Sequence, residues 1–265
     1  TIKDGDVISL IRKFLVSGVM IDDEYRDTII GTPQGGNLSP LLSNIMLNEL
    51  DNELEARELN FVRYADDCII LVKSEKAANR IMVSVTKFLE EKLGLKVNVT
   101  KSKVDRPNGI KYLGFGFFYD GFSHQFKAKP HQISVRKLKE KLKQLTSRRL
   151  GVSTSYRIYK LKQLIIGWVN YFKICQMKSI CMELDKHIRF RLRMCIWKQW
   201  KKVKTRYMNL QKLGVPKGKA WEWANSRKGY ARVARSFILH RAITNERLKK
   251  FGLVSLLDQY QLVHI

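Results

Sequence analysis

The sequence predicts an α+β protein in which a front part containing an antiparallel sheet is followed by an all-α, strongly basic back part. Up to residue 119, short apolar or aromatic runs bounded by turn residues alternate with helical periods, whereas beyond residue 131 apolar residues recur every three or four positions. The charge changes in the same region. Residues 1–126 carry 16 Lys+Arg and 18 Asp+Glu, and residues 127–265 carry 34 and 6. We therefore expect carboxylate chemistry in front and binding of a polyanion behind.

Composition excludes several classes of protein. A hydrophobic share of 45% over 265 residues favours packed cores over disorder. No apolar run is long enough to span a membrane, and no secretory signal is visible. The four cysteines form no C-x-x-C pair and the five histidines no H-x-x-x-H pair, which argues against a disulfide framework and a zinc site and favours a reducing, cytoplasmic location. Because the chain starts at Thr1, we expect it to be a piece of a longer protein. The sequence does not indicate an oligomeric state.

The front elements follow from hydrophobic spacing and turn residues. Helical spacing predicts helices at residues 6–20, 39–56 and 75–93, the second with Pro40 in its first turn and the third ending at Gly94. Apolar or alternating runs predict strands at residues 25–31, 61–73, 95–99 and 110–119. The run at 61–73 has a polar centre and is expected to fold back into a hairpin.

The back part contains three successive apolar stripes at helical spacing. They comprise Leu138, Leu142 and Leu145, then Leu161, Leu164, Ile165, Trp168 and Phe172, then Ile188, Leu192, Ile196 and Trp200. Lys and Arg dominate the positions between them, which indicates contact with nucleic acid rather than merely solvated helix faces. The residues predicted to bind nucleic acid are Arg148, Arg149, Arg189, Arg191, Arg193, Lys198, Lys201, Lys202, Lys204, Arg206, Arg227 and Lys228.

Five tryptophans are interleaved with these basic residues. Two interpretations stay open for them, packing in a helical core and stacking on bases. They are Trp168, Trp197, Trp200, Trp221 and Trp223.

Asp66 and Asp67 form a candidate metal turn between two apolar strands. Successive side chains of a strand point to opposite faces, so both carboxylates cannot line one core, but at a hairpin tip both reach a common edge. Carboxylate oxygens are ligands that Mg²⁺ prefers, and two-metal phosphoryl transfer uses several of them. The alternative is an ordinary acidic β-turn.

Five blocks of the sequence, in order, resemble those of a known family. F-V-R-Y-A-D-D-C-I-I-L-V (61–72) is similar to the Y-x-D-D motif of reverse transcriptases in the form found in group II intron proteins. Three further blocks resemble the P-Q-G loop, a lysine-bearing segment and the primer grip, and a fourth the G-W-x-N-Y-F signature of the maturase thumb. They lie at residues 31–45, 93–104, 110–117 and 165–172. W-K-Q-W-K-K-V-K-T-R (197–206) and W-E-W-A-N-S-R-K-G-Y (221–230) are typical of bacterial members.

The resemblance implies a domain organisation. It predicts a partial right-hand polymerase palm at residues 1–130, an all-α thumb or maturase domain at 131–208, and a small basic, helical DNA-binding module at 209–265. The absence of an H-N-H and paired-cysteine module resembles the members without an endonuclease. The palm strand with a further metal-binding Asp and most of the fingers would precede residue 1.

The resemblance also implies roles for individual residues. Asp66 would be the principal Mg²⁺ ligand with Asp67 beside it. The residues implied to contact substrate are Pro33, Gln34, Gly35, Gly36, Tyr64, Ala65, Lys101, Tyr112, Leu113 and Gly114. Glycine lets the backbone approach a nucleotide closely, and Lys101 would neutralise phosphate charge. The alternatives are an ordinary turn at 33–36, a solvated lysine at 101 and simple strand packing at 112–114.

The implied function is RNA-directed DNA synthesis from dNTPs on an intron RNA template and a DNA primer or target. The same protein would bind its intron RNA to assist splicing and mobility. Catalysis would be two-Mg²⁺ nucleotidyl transfer, with a primer 3′-hydroxyl attacking the dNTP α-phosphate. Without the preceding Asp strand we expect this chain alone to be inactive. The competing hypothesis is a non-catalytic, maturase-type RNA-binding splicing factor with an incomplete polymerase site.

Overall fold

The computed structural model describes residues 2–21, 24–26 and 36–264. The chain forms two compact units, Thr1–Asp105 and Arg106–Ile265. Charge separates along the same division, since residues 1–105 carry 14 Lys+Arg against 17 Asp+Glu, and residues 106–265 carry 36 against 7. The first unit is thus slightly acidic and the second strongly basic. The three domains expected from the resemblance, with bounds at 130/131 and 208/209, stay a prediction.

The first unit combines helices with two antiparallel hairpins. Its elements are α1 (Gly5–Val16), β1 (Val19–Ile21), β2 (Glu24–Arg26), α2 (Ser39–Ala56), β3 (Asn60–Tyr64), β4 (Asp67–Leu71) and α3 (Glu75–Lys87), which continues as a π-helical turn over Phe88–Lys92. β1 pairs with β2, and β3 with β4. Side-chain caps fix two helix starts, because Asp4 accepts from the amides of Asp6 and Val7, and Ser74 from that of Ala77.

The core of the first unit lies between α2 and one face of the β3–β4 hairpin. Leu47, Leu50 and Leu54 of α2 are buried, and apolar residues of β3, β4, α3 and the π-helical turn pack against them. Side chains alternate along β3, so those that point to the other face of the hairpin are exposed to solvent. Val62, Tyr64 and Leu71 on that face are 56%, 65% and 57% exposed.

Most of the front elements are confirmed, with three differences. The first helix ends at Val16, before Gly18 in the left-handed region (φ +66°) and strand β1. Of the strand expected at 25–31, β2 covers Glu24–Arg26 and residues 27–31 lie outside the described residues. The strand expected at 95–99 is wrong, because Asn98 forms a turn in which its side-chain oxygen accepts from Thr100 Oγ1 and the Lys101 amide.

The second unit begins with a three-stranded antiparallel sheet in the order β5 (Lys111–Tyr112), β6 (Phe115–Asp120), β7 (Gln125–Pro130). The single strand expected at 110–119 is therefore broken. Leu113 and Gly114 turn the chain with φ of +48° and +84°, the pair of positive values that a type I′ hairpin turn requires. Strand β7 was not predicted, although polar and apolar residues alternate in Q-F-K-A-K-P as they do in an exposed strand.

Nine helices follow in the described part of the second unit. They are α4 (Gln132–Leu145), α5 (Thr154–Tyr171), α6 (Lys178–Gln199), α7 (Val203–Lys212), α8 (Lys217–Ala224), α9 (Tyr230–Arg235), α10 (Phe237–Ala242), α11 (Asn245–Lys250) and α12 (Leu256–Val263). The predicted helical character of the back part is confirmed. None of the helices in the described residues is long and apolar enough to cross a membrane.

One hydrophobic core joins these helices from Leu138 on α4 to Tyr260 on α12. The three predicted stripes all face it, and Trp197, which belongs to it, is fully buried. Phe115 and Ala128 of the sheet pack against the same core. The sheet and the helices therefore form one folding unit, held mainly by apolar burial.

A buried carboxylate links the last helix to the middle of the unit. Asp185 on α6 is 4% exposed. It accepts hydrogen bonds from Ser255 Oγ (2.6 Å) and from the amides of Leu256 (2.9 Å) and Leu257 (3.2 Å). These amides belong to the first turn of α12 and have no partner within the helix. Asp185 on α6 thus caps α12. Its negative charge also interacts favourably with the positive end of the α12 dipole.

We predict that Asp185→Ala lowers the free energy of unfolding by about 2–4 kcal/mol, because it leaves buried amides of α12 without an acceptor. Urea denaturation followed by circular dichroism measures this. The matched control is Glu183→Ala on the same helix, whose carboxylate forms a 2.7 Å ion pair with Lys139. That pair is exposed, so the control should cost about 0–1 kcal/mol. Equal losses in the two variants would contradict the capping role.

Candidate functional site

The Tyr64–Asp67 segment forms the tip of the β3–β4 hairpin. Tyr64 pairs with Asp67, and Ala65 and Asp66 make the two-residue turn, with Ala65 in the left-handed region (φ +50°). The side chains of Asp66 and Asp67 are both exposed. The sequence expectation of a hairpin that presents two carboxylates at one edge is therefore confirmed in its backbone and exposure.

Arg63 fixes this tip to helix α2. Its guanidinium donates to both carboxylate oxygens of Asp51, with 2.7 Å from Nε to Oδ1. Its NH1 donates to Asn44 Oδ1 (2.9 Å) and to the carbonyl oxygen of Ala65 in the turn (3.1 Å). The side chains of Arg63 and Asp51 are only 12% and 21% exposed. The hydrogen bond to Asp51 is the largest cause that raises the pKa of Arg63. Planar, two-pronged geometry of this kind holds a turn more rigidly than a lysine does.

Ser43 on α2 contacts the metal turn directly. Its hydroxyl donates to Asp66 Oδ1 over 3.1 Å. This bond occupies one oxygen of the carboxylate and sets the direction in which the other points. The residues that hold the turn were missed in the sequence analysis. Asn44, Leu47, Asp51 and Leu54 recur at helical spacing, and polar residues on an otherwise buried stripe were the available signal.

The two carboxylates fit part of a magnesium site. Their oxygens are hard donors of the type that Mg²⁺ binds, and they lie at an exposed edge from which an ion keeps water and takes substrate oxygens. Within residues 2–21, 24–26 and 36–264, no group of three or more His, Cys, Asp or Glu side chains is arranged to hold a metal ion. In this part of the chain, Asp66 and Asp67 are therefore a pair of candidate ligands with no third such side chain grouped with them.

The other substrate residues expected in the first unit are only partly described. Pro33, Gln34 and Gly35 lie outside the described residues. Gly36 precedes α2, and its carbonyl oxygen accepts from the Ser39 amide over 3.1 Å. Lys101 has an exposed side chain that follows the turn at Asn98. Its role in phosphate binding stays a prediction.

The turn at Leu113–Gly114, expected to support a primer terminus, is held by two helices of the second unit. Tyr171 Oη on α5 donates to the Leu113 carbonyl (2.8 Å). The Gly114 carbonyl accepts from Ser134 Oγ on α4 (2.8 Å) and from the His131 amide (3.0 Å). A Cβ at residue 114 would lie 3.0 Å from Ser134 Oγ, and with φ at +84° the position favours glycine. Tyr112 lies half-buried in β5 beside this turn.

The basic residues of the second unit divide into an exposed set and a structural set. Exposed side chains are those of Arg148, Arg149, Lys201, Lys202, Lys204, Arg227 and Lys228. Arg189, Lys198 and Arg206 are half-buried. Lys198 Nζ donates to the Arg148 carbonyl (2.8 Å), and Arg206 lies over the Trp197 ring, 4.6 Å from its centre. The exposed set forms the candidate phosphate-binding surface.

Two of the arginines predicted to bind nucleic acid make hydrogen bonds that hold the fold together. Arg193 is 3% exposed and donates to the Ile243 carbonyl (2.8 Å) and to Asn245 Oδ1 (3.0 Å), so the prediction is wrong for this side chain. Arg191 donates to Thr146 Oγ1 (2.6 Å) and to the carbonyls of Lys143 and Thr146 at the end of α4. Both guanidiniums donate to backbone carbonyls at or just after helix ends, and the Thr146 carbonyl also accepts from Cys195 Sγ over 3.1 Å.

Buried Arg157 completes the loop that displays Arg148 and Arg149. It is 2% exposed, and its guanidinium donates to the carbonyls of Leu145, Ser147 and Leu150. Because the carbonyls of this loop point inward to Arg157, the side chains of Arg148 and Arg149 point outward. Arg148 lies over the Tyr230 ring at 5.5 Å from its centre.

The tryptophans follow mainly the core interpretation. Trp197 and Trp223 are buried, and Trp168 and Trp200 pack against the core. Trp221 is 60% exposed and meets Tyr207 edge-on, with ring centres 5.9 Å apart. Of the five, Trp221 keeps the stacking interpretation open.

Comparison with protein families matches both units. The family described as reverse transcriptase (RNA-dependent DNA polymerase) matches residues 3–117. The family described as the group II intron maturase-specific domain matches residues 135–214. The first match contains the hairpin tip with Asp66 and Asp67 and the Leu113–Gly114 turn. The second contains α5, α6 and much of the exposed basic set.

Individual relatives agree with these matches. Protein YkfC of Escherichia coli is 27% identical over 203 residues, which cover 63% of this chain and 51% of YkfC. The putative COX1/OXI3 intron 2 protein of Saccharomyces cerevisiae is 28% identical over 173 residues, covering 43% of this chain and 20% of that protein. The group II intron-encoded protein LtrA of Lactococcus lactis is 46% identical over 68 residues, covering 26% of this chain and 11% of LtrA.

The chain thus spans about half the length of YkfC and a smaller share of the other two relatives. A reverse transcriptase match followed by a maturase-specific match reproduces the order of blocks found in the sequence itself. Through these two consecutive matches, the chain is similar to the group II intron-encoded reverse transcriptases/maturases.

Proposed function

We propose that the protein containing this chain is an RNA-directed DNA polymerase that also binds its intron RNA to assist splicing and mobility. The observation that carries the polymerase assignment is the hairpin tip, where Asp66 and Asp67 are exposed together while Arg63 and Ser43 fix the turn from behind. An ordinary surface β-turn needs no such support. Preorganised charged groups at a fixed edge are what catalysis of phosphoryl transfer requires.

The residues of the chain have separate tasks in this proposal. Asp66 and Asp67 would hold Mg²⁺, which when bound supplies the positive charge that activates a primer 3′-hydroxyl and neutralises a leaving pyrophosphate. Ser43 orients one oxygen of Asp66, and Arg63 holds the turn in a fixed position relative to α2. The Leu113–Gly114 turn, tied down by Tyr171 and Ser134, would support the primer terminus. Lys101 and the glycines at 35–36 would contact the triphosphate or template.

The basic unit would grip the phosphate backbone of intron RNA and of the DNA target. The exposed set of lysines and arginines is poorly compensated by carboxylates, since residues 106–265 contain only 7 Asp+Glu against 36 Lys+Arg. Release of counterions from nucleic acid then drives binding without selecting a sequence. Selection of a particular intron would need contacts to bases in addition.

A second candidate function is RNA binding without catalysis, as in a maturase-type splicing factor. The observation in its favour is that Asp66 and Asp67 have no third metal-binding side chain grouped with them among the described residues. Two ions and a triphosphate need more oxygen ligands than one pair of carboxylates supplies. It therefore remains our prediction that this 265-residue chain alone binds RNA but does not polymerise.

Asp66→Asn should abolish primer extension by the full-length protein that contains this chain, while binding of intron RNA stays within a few fold. The amide keeps the shape of the side chain and the Ser43 contact but removes the charge that holds a metal ion. Extension of a labelled DNA primer on an RNA template measures the first effect, and filter binding the second. Asp105→Asn is the matched control, because Asp105 is paired with Lys103 over 2.6 Å. Full extension activity in Asp66→Asn would remove this residue from the site.

Arg63→Lys should lower the rate of primer extension by about 10- to 100-fold at saturating substrate, because a displacement of about 1 Å at a reacting centre costs that much. Lysine keeps the charge but cannot bind Asp51, Asn44 and Ala65 together. Affinity for the primer–template should stay unchanged, which separates loss of positioning from loss of binding. Arg57→Lys serves as control, since Arg57, the residue after α2, pairs with Glu53 over 2.8 Å and donates to Ser84 Oγ. Unchanged kcat in Arg63→Lys would contradict the positioning role.

Binding of nucleic acid should reside in residues 127–265 and depend steeply on salt. If about 6–10 phosphates are neutralised, affinity should fall by about 10³–10⁵ between 50 and 200 mM salt. Replacing Lys201, Lys202 and Lys204 together by Gln should reduce the slope of log K against log salt by about 3. The control is the same replacement of Lys73, Lys76 and Lys96, which are exposed lysines of the first unit. A flat salt response would show that the basic unit is not the binding surface.

A further inference from the structure

The tip of the β6–β7 hairpin presents a phenylalanine to solvent. Phe122 is 97% exposed, more than any other large apolar side chain in the described residues. It lies in the four-residue connection between Asp120 and Gln125, at the end of the hairpin distal to the core contacts of Phe115 and Ala128. Tyr119 and Phe126, a cross-strand pair just below the tip, are 49% and 51% exposed. The hairpin therefore displays three aromatic rings beyond the core.

Hydrogen bonds order the tip without using the Phe122 ring. The Asp120 carboxylate accepts from the Phe122 amide (3.1 Å), Ser123 Oγ (2.8 Å) and Lys127 Nζ (2.5 Å). His124 closes the turn in the left-handed region (φ +53°), and its Nδ1 lies 3.2 Å from Tyr119 Oη. These contacts involve the backbone of residue 122 and its neighbours. A small polar residue at 122 would satisfy the same turn, so local folding does not explain a phenylalanine there.

A ring held in place by such a turn is prepared for binding. Because the backbone is already ordered, burial of the ring against a partner costs less conformational entropy than ordering a flexible loop. Tyr119 and Phe126 meet edge-to-face with ring centres 5.4 Å apart, and they extend the apolar surface below Phe122. The exposed faces of these rings offer flat surfaces on which another planar group can stack.

Charge around the tip selects the kind of partner. Asp120 is the only carboxylate between residues 106 and 130, and Lys127 and Ser123 already bind it. The hydrogen bonds from Lys127, Ser123 and the Phe122 amide lower the pKa of Asp120 to about 2. Its charge is thus compensated within the turn. Lys129 lies over the Phe118 ring on the same hairpin, 5.6 Å from the ring centre. Aromatic rings next to lysines, in a unit with 36 Lys+Arg and 7 Asp+Glu, suit a nucleotide better than an apolar protein surface.

We propose that the β6–β7 tip is a binding site for an unpaired nucleotide, with the Phe122 ring stacked on the base. This inference rests on the proposed binding of nucleic acid by the second unit and adds a distinct site to it. Stacking accepts any base, so the site would recognise the unpaired state rather than a sequence. The base comes from RNA or from DNA, since the shared chemistry is an exposed π-face.

The test uses the full chain and short duplexes with one unpaired 2-aminopurine, whose fluorescence falls when it stacks. One duplex is RNA and one is DNA, and fully paired versions of each complete the set. Wild-type protein should prefer the unpaired probe and quench it. Phe122→Ala should weaken binding of that probe by about 5- to 150-fold, the equivalent of about 1–3 kcal/mol per stacked base, and should abolish the quenching. Affinity for the paired duplex should not change. The RNA and DNA arms identify which source of base the site takes.

Two further variants make the result decisive. Phe122→Trp keeps a stacking ring and should retain both preference and quenching. Phe251→Ala removes another ring of the same unit, one that is 54% exposed, and should behave as wild type. A Cβ at the neighbouring Gly252 would contact Ile158, which lies near the start of α5, whereas Phe172 follows the end of that helix. Circular dichroism should show equal folding, because the Phe122 residue is 97% exposed among the described residues.

Three results would overturn the proposal. One is equal binding and quenching by wild type and Phe122→Ala. Another is an effect of Phe122→Ala on self-association alone, seen by sedimentation, which would make the tip a protein contact. The last is a wild type that binds no probe at all. That result would reject the proposed nucleic-acid function itself, whereas the first two leave it intact.

Discussion

Backbone carbonyls at turns and helix ends need donors, and in this chain cationic side chains supply many of them. Arg63 donates to Ala65 in the metal turn, and Arg157 donates to three carbonyls of the loop after α4. Arg191 donates to a carbonyl at the end of α4, and Arg193 to one just after α10. Lys198 donates to the carbonyl of Arg148. A carbonyl left without a partner in these places would cost about 1–3 kcal/mol. The candidate sites are rigid because their turns are bound from inside by such groups.

This use of arginine changes the meaning of the large positive charge. Part of it is internal and neutralises partial charges of the backbone, so it does not face a polyanion. The remainder is displayed by loops whose carbonyls have been turned inward, as in the segment that carries Arg148 and Arg149. The buried arginines thus help to determine the direction in which the exposed arginines point. A count of lysines and arginines identifies the class of partner but overstates the surface available to it.

The sequence was most informative where a pattern is local. The helix at 39–56 and the hairpin around Asp66 were predictable because spacing, Pro40 and alternating apolar residues act within a few positions. The break at Leu113–Gly114 was not, since leucine seldom adopts positive φ and the groups that hold the turn, on Tyr171, Ser134 and His131, are distant in sequence. Arg193 was assigned to nucleic acid because lysine and arginine dominate the positions between the apolar residues of this helix. Whether such a side chain faces the core depends on Ile243 and Asn245, 50 residues or more away. The strand expected at 95–99 failed because Asn98 offered the backbone a turn instead.

The cap that Asp185 provides for α12 has a consequence for how the protein is made. Its partners Leu256 and Leu257 lie 71 and 72 residues further along the chain. During synthesis α6 emerges from the ribosome well before those amides exist, and its carboxylate then has only water to bind. The core around α6 cannot close over Asp185 until residue 257 has left the exit tunnel, since a buried unpaired charge is strongly unfavourable. The helical unit is thus expected to complete its folding late, with its apolar stripes exposed to chaperones in the interval.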